Sequence, residues 1–234
     1  TTLFRNGLYT HLVYYNRQRH VQEAYRQLGL ALGVDAEMGR PASPHVSDAE
    51  RQSVRARLGQ WGSGGRRLLL VNPNAGDLCL ERRWMPERFA RLAAHFSARE
   101  DTAVVLTGSP AEAEYTESVR QMITPELRTR VMNAAGALDF GEFLALIERA
   151  DVLVTGDSGP LHLAVALGTP TVSVFGPCAP EAYRPLEGHH RVLSSSVYCS
   201  PCLHWVDEPP CAGENLCMQR IGWHEVAAAT AELL

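Results

Sequence analysis

The chain contains no lysine: all 22 of its basic residues are arginines. That absence excludes a phosphate-loop lysine and a Schiff-base lysine, and leaves arginine as the permanent cation for any phosphate group. Acidic residues outnumber the arginines, 26 to 22, and the net charge of −4 gives no support for a nucleic-acid binder, which would carry a concentrated basic excess. No apolar run reaches the roughly 18 residues of a membrane span. There is no signal peptide, and the chain opens at Thr1-Thr2 without an initiator methionine, so a fragment or a processed product is expected. Two nucleotide fingerprints are missing as well. No Gly-x-Gly-x-x-Gly follows a strand pattern and no Walker sequence occurs, which argues against nicotinamide chemistry and phosphate-loop hydrolysis. Without an Asp-x-Asp, the paired carboxylates that would carry a divalent metal with a nucleotide are absent too.

What is present reads as globular. A chain of 234 residues, 45% hydrophobic and 21% charged, suits one large α/β domain or one domain with part of another. Residues 1–33 hold Leu12-Val13-Tyr14-Tyr15 and a helix pattern over Val21 to Leu32 that stops at Gly33, with no βαβ pattern. A loop composition with Gly39, Pro41 and Pro44 follows, and Ser47-Asp48-Ala49-Glu50 is a capping box opening a helix to about Gln60. From Arg67 apolar runs and amphipathic stretches alternate: strands at Leu68–Val71, Ala103–Leu106, near Val131, Val152–Thr155 and Thr171–Phe175, and helices from Pro86, over Ala111–Ile123, over Phe140–Arg149, after Gly159 and over Trp223–Leu234. That alternation predicts an α/β fold with a doubly wound, Rossmann-like parallel sheet.

Ligands of such sheets bind beyond the carboxyl ends of the strands. Those ends read Asn72-Pro73-Asn74-Ala75-Gly76, Thr107-Gly108-Ser109-Pro110, Asn133-Ala134-Ala135-Gly136, Thr155-Gly156-Asp157-Ser158-Gly159 and Phe175-Gly176-Pro177, five small glycine-containing turns on one rim. One such turn is weak, because βα turns favour glycine; five together, with arginines and carboxylates nearby, point to a phosphate-bearing ligand. In the fourth turn, Asp157 or Ser158 can cap the following helix and Pro160 suits its first turn. His162, one turn into that apolar helix, reads either as a core histidine or as a ligand contact.

Residues 66–234 resemble the donor-binding half of glycosyltransferase family 9, the ADP-heptose lipopolysaccharide heptosyltransferases. The most specific part is Gly156-Asp157-Ser158-Gly159-Pro160-Leu161-His162-Leu163-Ala164 through Phe175-Gly176-Pro177. Asn72-Pro73-Asn74-Ala75-Gly76 with Arg82-Arg83-Trp84 and Pro86-Glu87-Arg88-Phe89 is similar to the family's phosphate loop. The resemblance implies the C-terminal domain of a two-domain GT-B glycosyltransferase: residues 1–60 a remnant of the acceptor domain plus linker, residues 61–234 the nucleotide-sugar domain. It implies donor contacts from Asn74, Gly76, Arg82, Arg83, Glu112, Leu138, Asp157, Ser158, Gly159 and His162, with Glu112 on the ribose, Gly136-Ala137-Leu138 on the base, and Asp157, Ser158, Gly159 and His162 around the diphosphate and sugar. Arg82 stands where the family often has lysine, and Met85, inserted before Pro86, leaves open whether Arg82 or Arg83 meets the phosphates.

The activity so implied is inverting transfer of heptose from ADP-heptose to a lipopolysaccharide core or another lipid-linked glycan acceptor. It requires no cofactor and takes place in the cytoplasm, with peripheral contact at the inner face of a bacterial inner membrane. The family's base is an aspartate near the start of the acceptor domain, so this chain is expected to bind donor and to transfer nothing. A GT-B epimerase and a non-catalytic nucleotide-binding module are the alternatives. Separately, Cys199, Cys202, Cys211 and Cys217, with two, eight and five residues between them, can be structural thiols, free or disulfide-paired, or can hold zinc or an iron–sulfur group, with His189-His190 as further ligands or as a solvated loop.

Overall fold

The computed structural model describes residues 7–35, 37–76, 79–203, 205–206 and 209–234. Six strands, β1 (Arg67–Asn72), β2 (Thr102–Leu106), β3 (Val131–Asn133), β4 (Val152–Gly156), β5 (Thr171–Phe175) and β6 (His190–Ser194), form one sheet in the order β3-β2-β1-β4-β5-β6. Every neighbouring pair is parallel. The helices along the chain are α1 (Val21–Ala31), α2 (Asp48–Gln60), α3 (Pro86–Ser97), α4 (Ala113–Gln121) and α5 (Pro125–Arg128). They continue with α6 (Phe140–Arg149), α7 (Gly159–Leu167), α8 (Pro180–Tyr183), α9 (Leu216–Gln219) and α10 (Trp223–Leu233).

Side chains alternate across a strand, so each β run feeds two cores. Leu69, Val71, Val104, Val154 and Val172 pack with Phe89 and Phe96 of α3 and Val226 of α10. Leu68, Leu70, Val105 and Leu153 pack on the other face with Leu146 and Ile147 of α6, Ala164 of α7, and Val54 and Leu58 of α2. With both faces covered, continuous Leu and Val runs are the sequence that such strands require. α1 buries none of its residues. It is tied on by polar contacts: Gln22 Nε2 donates to Gly39 O at 2.8 Å, and Arg40 Nη2 to Ala166 O at 3.0 Å.

Two sequence expectations are corrected. The helix expected from Ala111 begins as a 3-10 turn, Pro110–Glu112, because Glu112 folds back on Ser109 and closes a capping box there; α4 then runs only to Gln121. His189-His190 do not lie in a loop throughout, for His190 opens β6 and its Nδ1 sits 2.9 Å from Thr171 Oγ1. β6 is an edge strand paired only with β5 and half exposed, so it lacks the apolar run that marks the inner strands.

Candidate functional site

The strand order reverses between β1 and β4, and the cleft opens there, as doubly wound sheets dictate. It has two lobes of about 420 and 400 Å³ that share Asn72, Glu112, Gly159 and Pro160 in their walls. Asn74, Gly76, Arg82, Asp157, Ser158 and His162 line the first; Leu138, Phe140, Phe143 and Leu163 give the second its apolar wall. Four of the five rim turns read from the sequence therefore meet at this cleft, with those after β1 and β4 at the centre, while Phe175-Gly176-Pro177 lines neither lobe.

Asn74 braces the rim. Its backbone N–H donates to Asn72 Oδ1 at 3.0 Å, and its side-chain Nδ2 reaches Thr107 O at 2.9 Å and Thr116 Oγ1 at 3.2 Å. A Cβ on Gly108 would lie 2.7 Å from that Nδ2, so the β2 turn needs glycine for close approach. Asn74 Oδ1 is buried with no partner among the described residues. Gly76 turns the loop at φ +65°.

Arg82 crosses from the β1 loop to the β4 turn. Its Nη1 donates to Asp157 O at 3.2 Å and lies 3.6 Å from Asp157 Oδ2, while Nη2 donates to Ala75 O at 3.2 Å. The pair is largely buried, with side chains 18% and 6% exposed, yet Arg82 Nε has no partner among the described residues. A buried donor left without a partner is costly. Arg83 points elsewhere: its guanidinium stacks 4.1 Å from the Tyr115 ring centre and lines neither lobe.

Ser158 is the N-cap residue of α7, but neither it nor Asp157 caps the helix with its side chain. The Ser158 hydroxyl instead pairs with Thr155 Oγ1 at 2.9 Å, and Asp157 faces Arg82, which corrects the capping expectation. Since Pro160 has no N–H, the Gly159 amide stands at the positive end of α7 on the wall of the cleft. Glu112, on the wall between the lobes, uses Oε2 to accept from Ser109 N and Oγ, each at 2.8 Å, which leaves Oε1 for a ligand hydroxyl. His162 is solvent-exposed as a residue yet crowded on several sides. That crowding lowers its pKa below the usual 6.5; Asp157 opposes the shift and His20 adds to it.

Sequence reasoning missed Cys178 and Tyr183, which also line the first lobe. Cys178 directly follows the Gly176-Pro177 turn already placed on the rim, so one further residue would have found it. Its thiol donates to Asp157, and burial first, then the Asp157 charge, raises its pKa, so it stays protonated. Tyr183 sits on α8 with no local motif, and its hydroxyl lies 3.5 Å from that of Tyr15. All six cysteines are free. Burial raises the thiols of Cys202 and Cys217, the latter to about 11, with smaller effects from Cys199 and Cys211 on the first and from Cys202 and Cys199 on the second. Among the described residues no three His, Cys, Asp or Glu side chains gather as metal ligands.

The model of glycosyltransferase family 9 (heptosyltransferase) matches residues 8–212. Lipooligosaccharide heptosyltransferase 2 of Haemophilus influenzae is 34% identical over 112 residues, 48% of this chain and 32% of that protein. Among solved structures, the glycosyl transferase family 9 from Veillonella parvula superposes with a TM-score of 0.79 at 24% identity, over 99% of this chain and 64% of that one. ADP-heptose lps heptosyltransferase II of E. coli does so with a TM-score of 0.75 at 23% identity, over 99% and 67%. The chain thus spans about a third of the length of the curated relative it matches.

Proposed function

We propose that this chain, which belongs to glycosyltransferase family 9, supplies the donor site for transfer of heptose from ADP-heptose to a lipopolysaccharide acceptor. The observation that carries the reading is the first lobe. There the Arg82 guanidinium and the Gly159 end of α7 line one polar cavity that continues past Glu112 into an apolar lobe. A diphosphate suits the first lobe, a ribose the Glu112 wall, and a flat base the second lobe between Leu138 and Leu163.

The chemistry follows from charge. When the bond to the anomeric carbon breaks, negative charge grows on the leaving diphosphate. Arg82 and the α7 amide end, already oriented before reaction, stabilise that charge without first having to reorganise. Asp157, which also accepts from the Cys178 thiol, faces Arg82 Nη1, so the cation is positioned but only partly neutralised. An acceptor hydroxyl also needs a base on the far side of the sugar if transfer inverts. The cleft carboxylates are each engaged: Asp157 by Arg82, Glu112 by Ser109 through Oε2, and Asp139 by the Glu142 N–H. We therefore assign the base to a carboxylate outside this chain.

On this reading residues 61–234 form the donor half of a GT-B enzyme and residues 1–60 link it to the acceptor half, with α2 anchoring the link through Val54 and Leu58. Among the described residues no helix is long and apolar enough to cross a membrane. Peripheral contact with a membrane that carries the acceptor is part of the same proposal. The relatives are heptosyltransferases and lend no support to an epimerase. Thermal shifts with ADP, UDP and GDP side by side test the donor site: ADP should raise Tm most, and equal or absent shifts would overturn it. Turnover of ADP-heptose onto a lipid acceptor by the chain alone would overturn the assignment of the base.

A further inference from the structure

Arg82 is the cation of the cleft, yet it belongs to no long helix or strand. It closes a single 3-10 turn, Leu80–Arg82, and Arg83 follows in extended backbone. What holds this turn comes from the far end of the sequence. Asn215 Nδ2 donates to Arg83 O at 3.2 Å, and Trp84 Nε1 donates to Ile221 O at 3.0 Å. Arg88 adds bonds to Met218 O, at 3.1 Å, and to Ile221 O.

Asn215 itself is fixed from several sides. It is buried at 7% exposure and has left-handed backbone, φ 57° and ψ 42°, at the start of α9. Asparagine tolerates that conformation better than most residues. Its Oδ1 accepts from Cys217 Sγ at 3.6 Å and its backbone N–H donates to Cys211 Sγ at 3.4 Å. α9 in turn lies hard against the β5 rim, where a Cβ on Gly176 would meet Met218 Cγ at 2.7 Å and Cys217 Sγ at 3.1 Å. Rim, α9 and the Arg82 turn are thus one packed unit. On the other side of the turn, the Arg82 carbonyl lies 3.2 Å from where a Cβ on Gly156 would stand, so the turn passes close over the end of β4.

We propose that Asn215 is a positioning residue of the donor site: its side-chain amide fixes the Arg83 carbonyl and thereby aims the Arg82 guanidinium at the donor's diphosphate. The inference rests on the donor reading above and gives residues 211–221 a role in that site through hydrogen bonds and packing.

The test compares Asn215→Gly, which keeps the left-handed backbone, and Asn215→Asp, which keeps the shape but loses the N–H donor, alone and with Arg82→Ala. Affinities of the whole chain for ADP and for adenosine are measured by calorimetry or ligand-observed NMR. Both Asn215 variants should bind ADP about fivefold more weakly, the factor for one lost hydrogen bond, and adenosine unchanged within about twofold. Adding Asn215→Gly to Arg82→Ala should cause no further loss, because the group it positions is gone. Unchanged ADP affinity, an equal loss for adenosine, or the same loss in the Arg82→Ala background would overturn the inference. Absence of ADP binding by the unsubstituted chain would overturn the donor reading itself, and this inference with it.

Discussion

Adjacent arginines meet different fates in this chain, and the difference sets their expected phenotypes. Arg82 Nη1 lies within 3.6 Å of Asp157 in the cleft, whereas Arg83 lies flat on Tyr115. Arg82→Ala should weaken ADP binding about ten- to a hundredfold, as loss of a charge-assisted contact does, and should also lower the urea midpoint, because the buried Asp157 carboxylate loses its cation. Arg83→Ala should leave ADP affinity nearly unchanged and lower stability by roughly 0.5–1 kcal/mol, the scale of a cation–π contact. Titration calorimetry and urea denaturation separate the two. His162 makes a prediction of opposite character. Its pKa is lowered in the folded chain, so the unfolded chain takes up its proton first as pH falls. The stability this histidine contributes is whole above about pH 6.5 and is lost as pH drops through its lower folded pKa. Tm should therefore fall less steeply between pH 7.5 and 5 in His162→Gln than in the unsubstituted chain; parallel curves would count against it.

Two helix starts with the same serine have opposite uses. Ser47 caps α2: its Oγ accepts from Glu50 N at 3.3 Å, and Glu50 Oε2 accepts from Ser47 N at 2.6 Å. Ser158, at the start of α7, turns its hydroxyl away and leaves the amide end to the cleft. Ser47→Ala should cost about 1 kcal/mol in chemical denaturation without affecting ADP binding. Ser158→Ala should cost less, because no cap is lost. Both positions carry a capping residue in the sequence, and only the direction of the hydroxyl tells them apart. That direction depends on Thr155 at the end of β4, and so on the sheet.

The molecule divides into a tightly packed sheet with its covering helices and a first segment held on by polar contacts. Leu12, Tyr14, Tyr25 and Leu32 are all more than half exposed, and α1 contributes nothing to either core. Trypsin under native conditions should cut first at Arg17 and Arg19, ahead of the arginines of α3 and α6, and leave the ADP-induced thermal shift in place; mass spectrometry of the first products checks it. A first cut within α3 or α6 would contradict this division.

Local chemistry alone specified much of this protein. The apolar runs of β1, β2, β4 and β5, the capping box at Ser47 and the small turns on one rim are all readable from residues a few positions apart, because propensity, capping and periodicity act over that range. Tertiary structure decided which of them meet. Parallel crossovers set β1 beside β4, so turns distant in the chain share one cleft, and they chose Arg82 over Arg83, brought Cys178 to Asp157 and added the edge strand β6. Asn215, whose only signal is a polar residue between two cysteines, reaches the Arg82 turn solely because α9 packs on Gly176. Contacts of that kind depend on the path of the whole chain, and no local pattern encodes them.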